Sequence, residues 1–112
     1  MELKTETLKR CELVTLSGWI DSESAPGLEE KLLSLIESGK KNLVLNMREV
    51  DYVSSAGLKA LIAAQIKVSK MRPKGSVVVS EISPELKSTF ELVGFHRLFD
   101  FYDSDVEAVG SF

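Results

Sequence analysis

The residues with chemistry to offer are two adjacent serines, Ser54 and Ser55, in the run DYVSSAGL at positions 51–58. They follow an apolar, strand-like stretch, KNLVLNM at 41–47, and precede a long segment with helical spacing. A hydroxyl at that junction has three possible tasks. As a helix cap, Ser54 or Ser55 would satisfy one orphan amide of the first turn, a contribution of about 1 kcal/mol. As a nucleophile, a serine needs a base to take its proton and donors for an oxyanion. VSSAG lacks the flanking glycine of a nucleophile elbow, and the chain's one histidine, His96, lies roughly forty positions away. As a phosphate acceptor, a serine at a helix N-terminus would be stabilised by the amides of Ala56, Gly57 and Leu58 and by the helix dipole. The fold would then take the modification without rearranging, and its effect would be felt by a partner. The small Gly57 would also let a partner's backbone approach closely.

The elements that must hold these serines are legible around them. Residues 2–8 and 11–18 alternate as two short strands joined at Lys9-Arg10, which reads as a hairpin. Ser24 as N-cap and Pro26 in the first turn open a helix carrying Leu28, Leu32, Leu35 and Ile36 on one face, and Gly39 ends it. A strand over 41–47 follows, then a helix over 55–71 with Leu58, Leu61, Ile62, Gln65 and Ser69 along one stripe, stopped by Arg72-Pro73-Lys74-Gly75. The β-branched run 76–82 is the next strand. Ser83 and Pro84 then start a helix that Gly94 terminates. Residues 97–102 read as a last short strand and 103–112 as a helical turn or short helix. The order ββαβαβαβα predicts a partly parallel sheet with an antiparallel N-terminal edge. Trp19, just after the second strand, reads as an exposed anchor or as an edge-strand core residue, and the core is favoured because aromatic side chains usually bury.

Composition removes several classes of function. With 112 residues, 44% of them hydrophobic and 28% charged, the chain suits one globular domain spanning 1–112. No apolar run approaches the ~18 residues of a membrane span. The N-terminus alternates charge with apolar residues, unlike a secretory signal, so a cytoplasmic protein without membrane attachment is expected. The net charge of -3 comes from acids and bases mixed along the sequence, with no basic stripe to contact nucleic acid directly. The single cysteine, Cys11, has no partner for a disulfide or a zinc pair and reads as a core thiol. No metal or cofactor is called for. A receiver domain is excluded by Asn46, which stands where its acceptor aspartate would be needed.

The stretch NLVLNMREVDYVSSAGLKALI, with GWIDSESAPGLEEKL before it and ELVGFHRLFDFY after it, resembles the bacterial STAS-domain family, specifically the anti-sigma factor antagonists. The match runs essentially end to end, and the motif D-x-V-S-S-A-G-L after a buried strand is its most specific part. The resemblance implies a single α/β domain with a mixed sheet of four or five strands, about four helices packed largely on one face, and no catalytic activity. By motif position it makes Ser55 the phosphorylated residue, with Ser54 where many members carry aspartate. The implied partner is an anti-sigma factor that is also a serine kinase. Unphosphorylated antagonist would bind it and free the sigma factor, phosphorylated antagonist would be released, and a serine phosphatase would reset the cycle. Partner contact is expected at Asp21, Ser54, Ser55, Ala56, Gly57 and Leu58. The alternative is a STAS scaffold or sensor in which Ser55 serves mainly as a helix cap.

Overall fold

The alternating and β-branched runs pair into one five-stranded sheet whose spatial order follows the sequence. In the computed structural model, which describes residues 1–112, the strands are β1 (Glu2–Thr7), β2 (Glu12–Ile20), β3 (Asn42–Val53), β4 (Ser76–Ser80) and β5 (Asp100–Tyr102). β1 and β2 form the antiparallel hairpin, and β2 to β5 are successive parallel neighbours. Helices α1 (Ala25–Glu37), α2 (Ser55–Ser69) and α3 (Pro84–Leu92) connect the parallel strands, and α4 (Asp105–Gly110) closes the chain. None of these helices is long and apolar enough to cross a membrane.

Several boundaries differ by a residue or two from those expected, and two elements depart further. β3 does not end at Met47 but continues to Val53, because its parallel pairing with β2 resumes past register shifts near Ser17 and Gly18. That extension keeps Val50 and Val53 on the core face and carries the strand tip to the serines. Near the C-terminus, Phe95–Leu98 forms a 3-10 turn, and only Asp100–Tyr102 pairs as β5.

The helical stripes explain the layering. Leu28, Leu32 and Ile36 of α1 and Leu58, Leu61, Ala64 and Val68 of α2 pack on Val14, Leu16, Leu43 and Leu45, all buried. Phe90 of α3 meets Phe99 and Phe101 edge to face at 5.8 and 5.7 Å between centroids. Gln65, on the inner stripe of α2, behaves like a piece of strand: Val77 N donates to Oε1 at 2.9 Å, and Nε2 donates to the carbonyls of Val77 and Leu98. These bonds fix α2, and with it the serines, against β4.

The other face of the sheet is covered by α4 alone. Ala108 packs there with Cys11, Val44 and Val78, and burial first, then the Glu12 charge, pushes the Cys11 thiol above its ordinary value. Asn46 Nδ2 donates to both carboxylate oxygens of Asp105 at 2.9 and 3.0 Å, and Ser80 Oγ donates to Oδ1 at 2.6 Å. Asn46 is therefore part of the seat of α4.

Candidate functional site

At the C-terminal ends of β2 and β3 the chain makes two turns into helices, and the two serines stand at one of them. Ser54 leaves β3 in extended backbone, φ -79° and ψ 170°, and its amide donates to the Ile20 carbonyl at 2.8 Å, tying the two strand tips together. Its Oγ accepts from Gly57 N at 3.1 Å, and its carbonyl accepts from Leu58 N at 2.9 Å. Ser54 is thus the N-cap of α2. Ser55, one residue on, is exposed, and its hydroxyl takes part in no hydrogen bond within the chain.

This division of labour narrows the expected phosphate cradle. The Gly57 and Leu58 amides are already engaged by Ser54, so the amides of Ser55 and Ala56, which by helix geometry lack an intrahelical partner, are the ones left to meet an anion. Gly57 and Leu58, expected at the contact surface, face inward. Leu58 is core, and a Cβ on Gly57 would lie 2.9 Å from the Ile20 carbonyl oxygen and 2.7 Å from Ile20 Cγ2. The small residue makes room for the chain's own β2 rather than for a partner.

The neighbouring turn also differs from expectation at its cap. Ser24 makes no capping bond to α1; Asp21 does the capping one turn earlier. Asp21 Oδ1 accepts from Ser24 N at 3.0 Å and Glu23 N at 3.1 Å, while Asp21 N donates to Ser24 Oγ at 3.0 Å. This reciprocal pair is a capping box, and the Ala25 N to Asp21 carbonyl bond at 2.9 Å leads it into α1. The Ser24 amide, first among these donors, holds the Asp21 carboxyl below its ordinary range. Ser24 Oγ also lies 3.1 Å from the Trp19 carbonyl, which links this turn to the end of β2.

Trp19 is not in the core. It is 59% exposed beside Tyr52, 43% exposed, with ring centroids 5.1 Å apart and planes tilted by 45°. Ile20 and Val53 take the core positions, so their neighbours project from the opposite face, toward strand tips beyond the small cluster that α4 covers. On the helical side, a cleft of about 550 Å³ runs between the first turns of α1 and α2, lined by Pro26, Leu33, Ala56, Glu29, Glu30 and Lys59 among others. Ala56 lines that cleft, and Ser55 precedes it at the first position of α2.

His96 is held elsewhere. It lies in the 3-10 turn whose Leu98 carbonyl is fixed by Gln65, roughly ten residues and about 15 Å along α2 from Ser55. Ser55 therefore has no histidine base beside it. The cap assignment predicts that Ser54→Ala lowers stability by about 1 kcal/mol in urea unfolding, whereas Ser55→Ala changes it by less than about 0.5 kcal/mol. Equal losses in the two variants would contradict the assignment.

The comparisons agree with this geometry. The STAS domain model matches residues 2–108. BtrV of Bordetella bronchiseptica, described as an anti-sigma factor antagonist, is 30% identical over 114 residues, covering 100% of this chain and 95% of its own. The crystal structure of an anti-sigma factor antagonist from Mycobacterium paratuberculosis superposes with a TM-score of 0.86 at 25% identity, covering 98% of this chain and 92% of that one. The Bacillus antagonist SpoIIAA, solved unphosphorylated and phosphorylated, has the same fold, with a TM-score of 0.75 in both forms at 15% and 16% identity. Each form covers 98% of this chain, and the matches span 96% and 98% of the SpoIIAA chains. On the match of the family model to residues 2–108 and the 30% identity to BtrV over the full chain, the chain belongs to the STAS domain family.

Proposed function

We propose that this protein is an anti-sigma factor antagonist of the cytoplasm. Unphosphorylated, it binds an anti-sigma factor that is also a serine kinase and so frees a sigma factor; phosphorylation of Ser55 by that kinase releases it, and a serine phosphatase restores it. The observation that carries this reading is the separation of roles between the two serines. Because Ser54 does the capping, the Ser55 hydroxyl is exposed and unbonded at the first position of α2.

A phosphoryl group there adds about 1.5 to 2 negative charges at neutral pH. Within the chain it meets the open amides of Ser55 and Ala56 and the positive end of the helix, so the domain keeps its shape. A partner seated over the hydroxyl must instead strip water from that charge, which is costly without new donors. Release therefore needs no conformational change in the antagonist. SpoIIAA, solved in unphosphorylated and phosphorylated forms, is a precedent for phosphorylation of a protein of this fold.

The test is intact mass with phosphopeptide mapping after incubation with ATP and a soluble extract of the source cells. One added phosphoryl group on Ser55, absent in Ser55→Ala and retained in Ser54→Ala, is the expected result. Modification confined to another residue, or none in an extract with demonstrated kinase activity, would return Ser55 to a surface position without a switch.

A further inference from the structure

We propose that the exposed Trp19–Tyr52 pair anchors the anti-sigma factor by receiving one of its basic side chains, an arginine or a lysine. This rests on the reading of the chain as an antagonist that docks at Ser55, and it names the chemistry of the docked surface.

Position is the first ground. Trp19 and Tyr52 are directly paired across β2 and β3, and the next residues, Ile20 and Val53, enter the core under α2. The Ser54 amide is bonded to the Ile20 carbonyl, and Ser24 of the Asp21 turn reaches the Trp19 carbonyl. The aromatic pair is thereby fixed in place relative to Ser55 through short covalent and hydrogen-bonded links. A partner large enough to cover Ser55 comes down over the same strand tips.

Exposure is the second. A cross-strand aromatic pair stabilises a sheet whether or not anything else touches it. That role alone does not require the chain's one tryptophan to stand 59% in solvent at the rim of a turn. Tryptophan and tyrosine are the side chains that most often dominate protein interfaces.

Charge is the third, and it selects the occupant. The segments that carry the pair, 18–24 and 49–53, hold Asp21, Glu23, Glu49 and Asp51, against the flanking Arg48 and the Met1 amino group, which would lie 3.6 Å from a Cβ on Gly18, so carboxylates outnumber cations there. Glu23, Glu49 and Asp51 are exposed. Two exposed rings tilted by 45°, on segments where carboxylates outnumber cations, attract a cation through the ring quadrupoles and the net negative charge together. A guanidinium or ammonium fits this surface; an acidic or purely apolar patch does not.

The experiment uses the purified kinase that modifies Ser55 and the full chain, by calorimetric titration and by the emission of Trp19, the chain's only tryptophan. Trp19→Ala and Tyr52→Ala should each weaken binding about tenfold or more. Trp19→Phe, which keeps a ring face, should lose no more than about threefold. Wild-type affinity should fall as NaCl rises from about 50 to about 500 mM, since rim charges are screened. Melting temperatures of the variants identify any that fail to fold, and Trp19→Phe then decides. If both alanine variants bind within about twofold of wild type while Ser55→Asp does not bind, the anchor is wrong and the switch stands. If Ser55→Asp binds like wild type but Trp19→Ala does not, the switch is wrong and the anchor stands. A salt-independent affinity overturns the cationic occupant. A wild-type dimer that dissociates in Trp19→Ala assigns the pair to a second copy and overturns the proposal.

Discussion

Replacing Ser55 by aspartate is expected to lower affinity for the anti-sigma factor at least about a hundredfold, roughly 2.7 kcal/mol, and to leave the folded domain as stable as before. The stability half follows from what Ser55 lacks. Its hydroxyl makes no hydrogen bond and the residue is exposed, so nothing in the fold is lost with it. An acid in the first turn gains about 0.3 to 1 kcal/mol from the helix dipole. The melting temperature should therefore stay level or rise by a few degrees, on the scale of about 4–8 °C per kcal/mol for a domain near this size. The affinity half follows from position. A carboxylate at the exposed first position of α2 must be desolvated by any partner that seats over it.

Ser54→Asp is the matched control. Aspartate is as good an N-cap as serine, and its carboxylate would turn back onto the Gly57 amide, so the same charge one residue earlier should cost less than about fivefold in binding. Titration of both variants against the kinase, beside thermal melts, checks the pair. Equal binding of wild type and Ser55→Asp would contradict the switch.

How much of this was legible before the structure depends on the kind of signal each residue gives. Ser83 with Pro84, Gly39 and Gly94 act within a few residues of backbone, and each stands where its helix starts or stops: Ser83 accepts from Leu86 N, and both glycines have positive φ. The apolar stripes of α1 and α2 depend only on helical period, and they are buried as their spacing requires. The hairpin follows from two strands joined directly at Lys9-Arg10, and the parallel order from the alternation of the later strands with helices.

What escaped was decided by geometry that period does not encode. The second half of β3, Arg48 to Val53, contains too many polar residues to look like a strand buried on both faces. It is one-sided there, with Val50 and Val53 inward and Arg48, Asp51 and Tyr52 exposed. Residue type favours the core for Trp19 over an exposed anchor, whereas its fate is set by which face of the strand tip it occupies. At the first helix the sequence offers two capping candidates three residues apart, Asp21 and Ser24. A reading that looks for one cap misses that they cap reciprocally. The same ambiguity applied to Ser54 and Ser55, and only the extended backbone of Ser54 separates cap from free hydroxyl.

The last expectation concerns Gly57, where two effects of opposite sign compete. Alanine in place of glycine inside a helix gains about 1 kcal/mol from propensity. Against that, the new methyl group would lie 2.7 Å from Ile20 Cγ2, 2.9 Å from the Ile20 carbonyl oxygen and 3.1 Å from Val53 Cγ1. The Ile20 side chain can turn aside, but its carbonyl cannot, because it holds the Ser54 amide at 2.8 Å. Overpacking of this kind costs about 1 to 3 kcal/mol, so the net change should be a loss of up to about 2 kcal/mol. The strain is relieved most easily by lifting the first turn of α2 away from the β2 tip. That motion would lengthen the Ser54 to Ile20 bond and shift Ser55 relative to Trp19 and Tyr52. Gly57→Ala should therefore lose affinity for the anti-sigma factor by about tenfold even at temperatures where it is fully folded, and phosphoryl transfer to Ser55 should slow with it. Urea unfolding gives the stability term, and titration well below the melting temperature gives the binding term. A variant as stable as wild type with unchanged affinity would mean that α2 absorbs the methyl group without moving, and that Gly57 does not set the position of the switch.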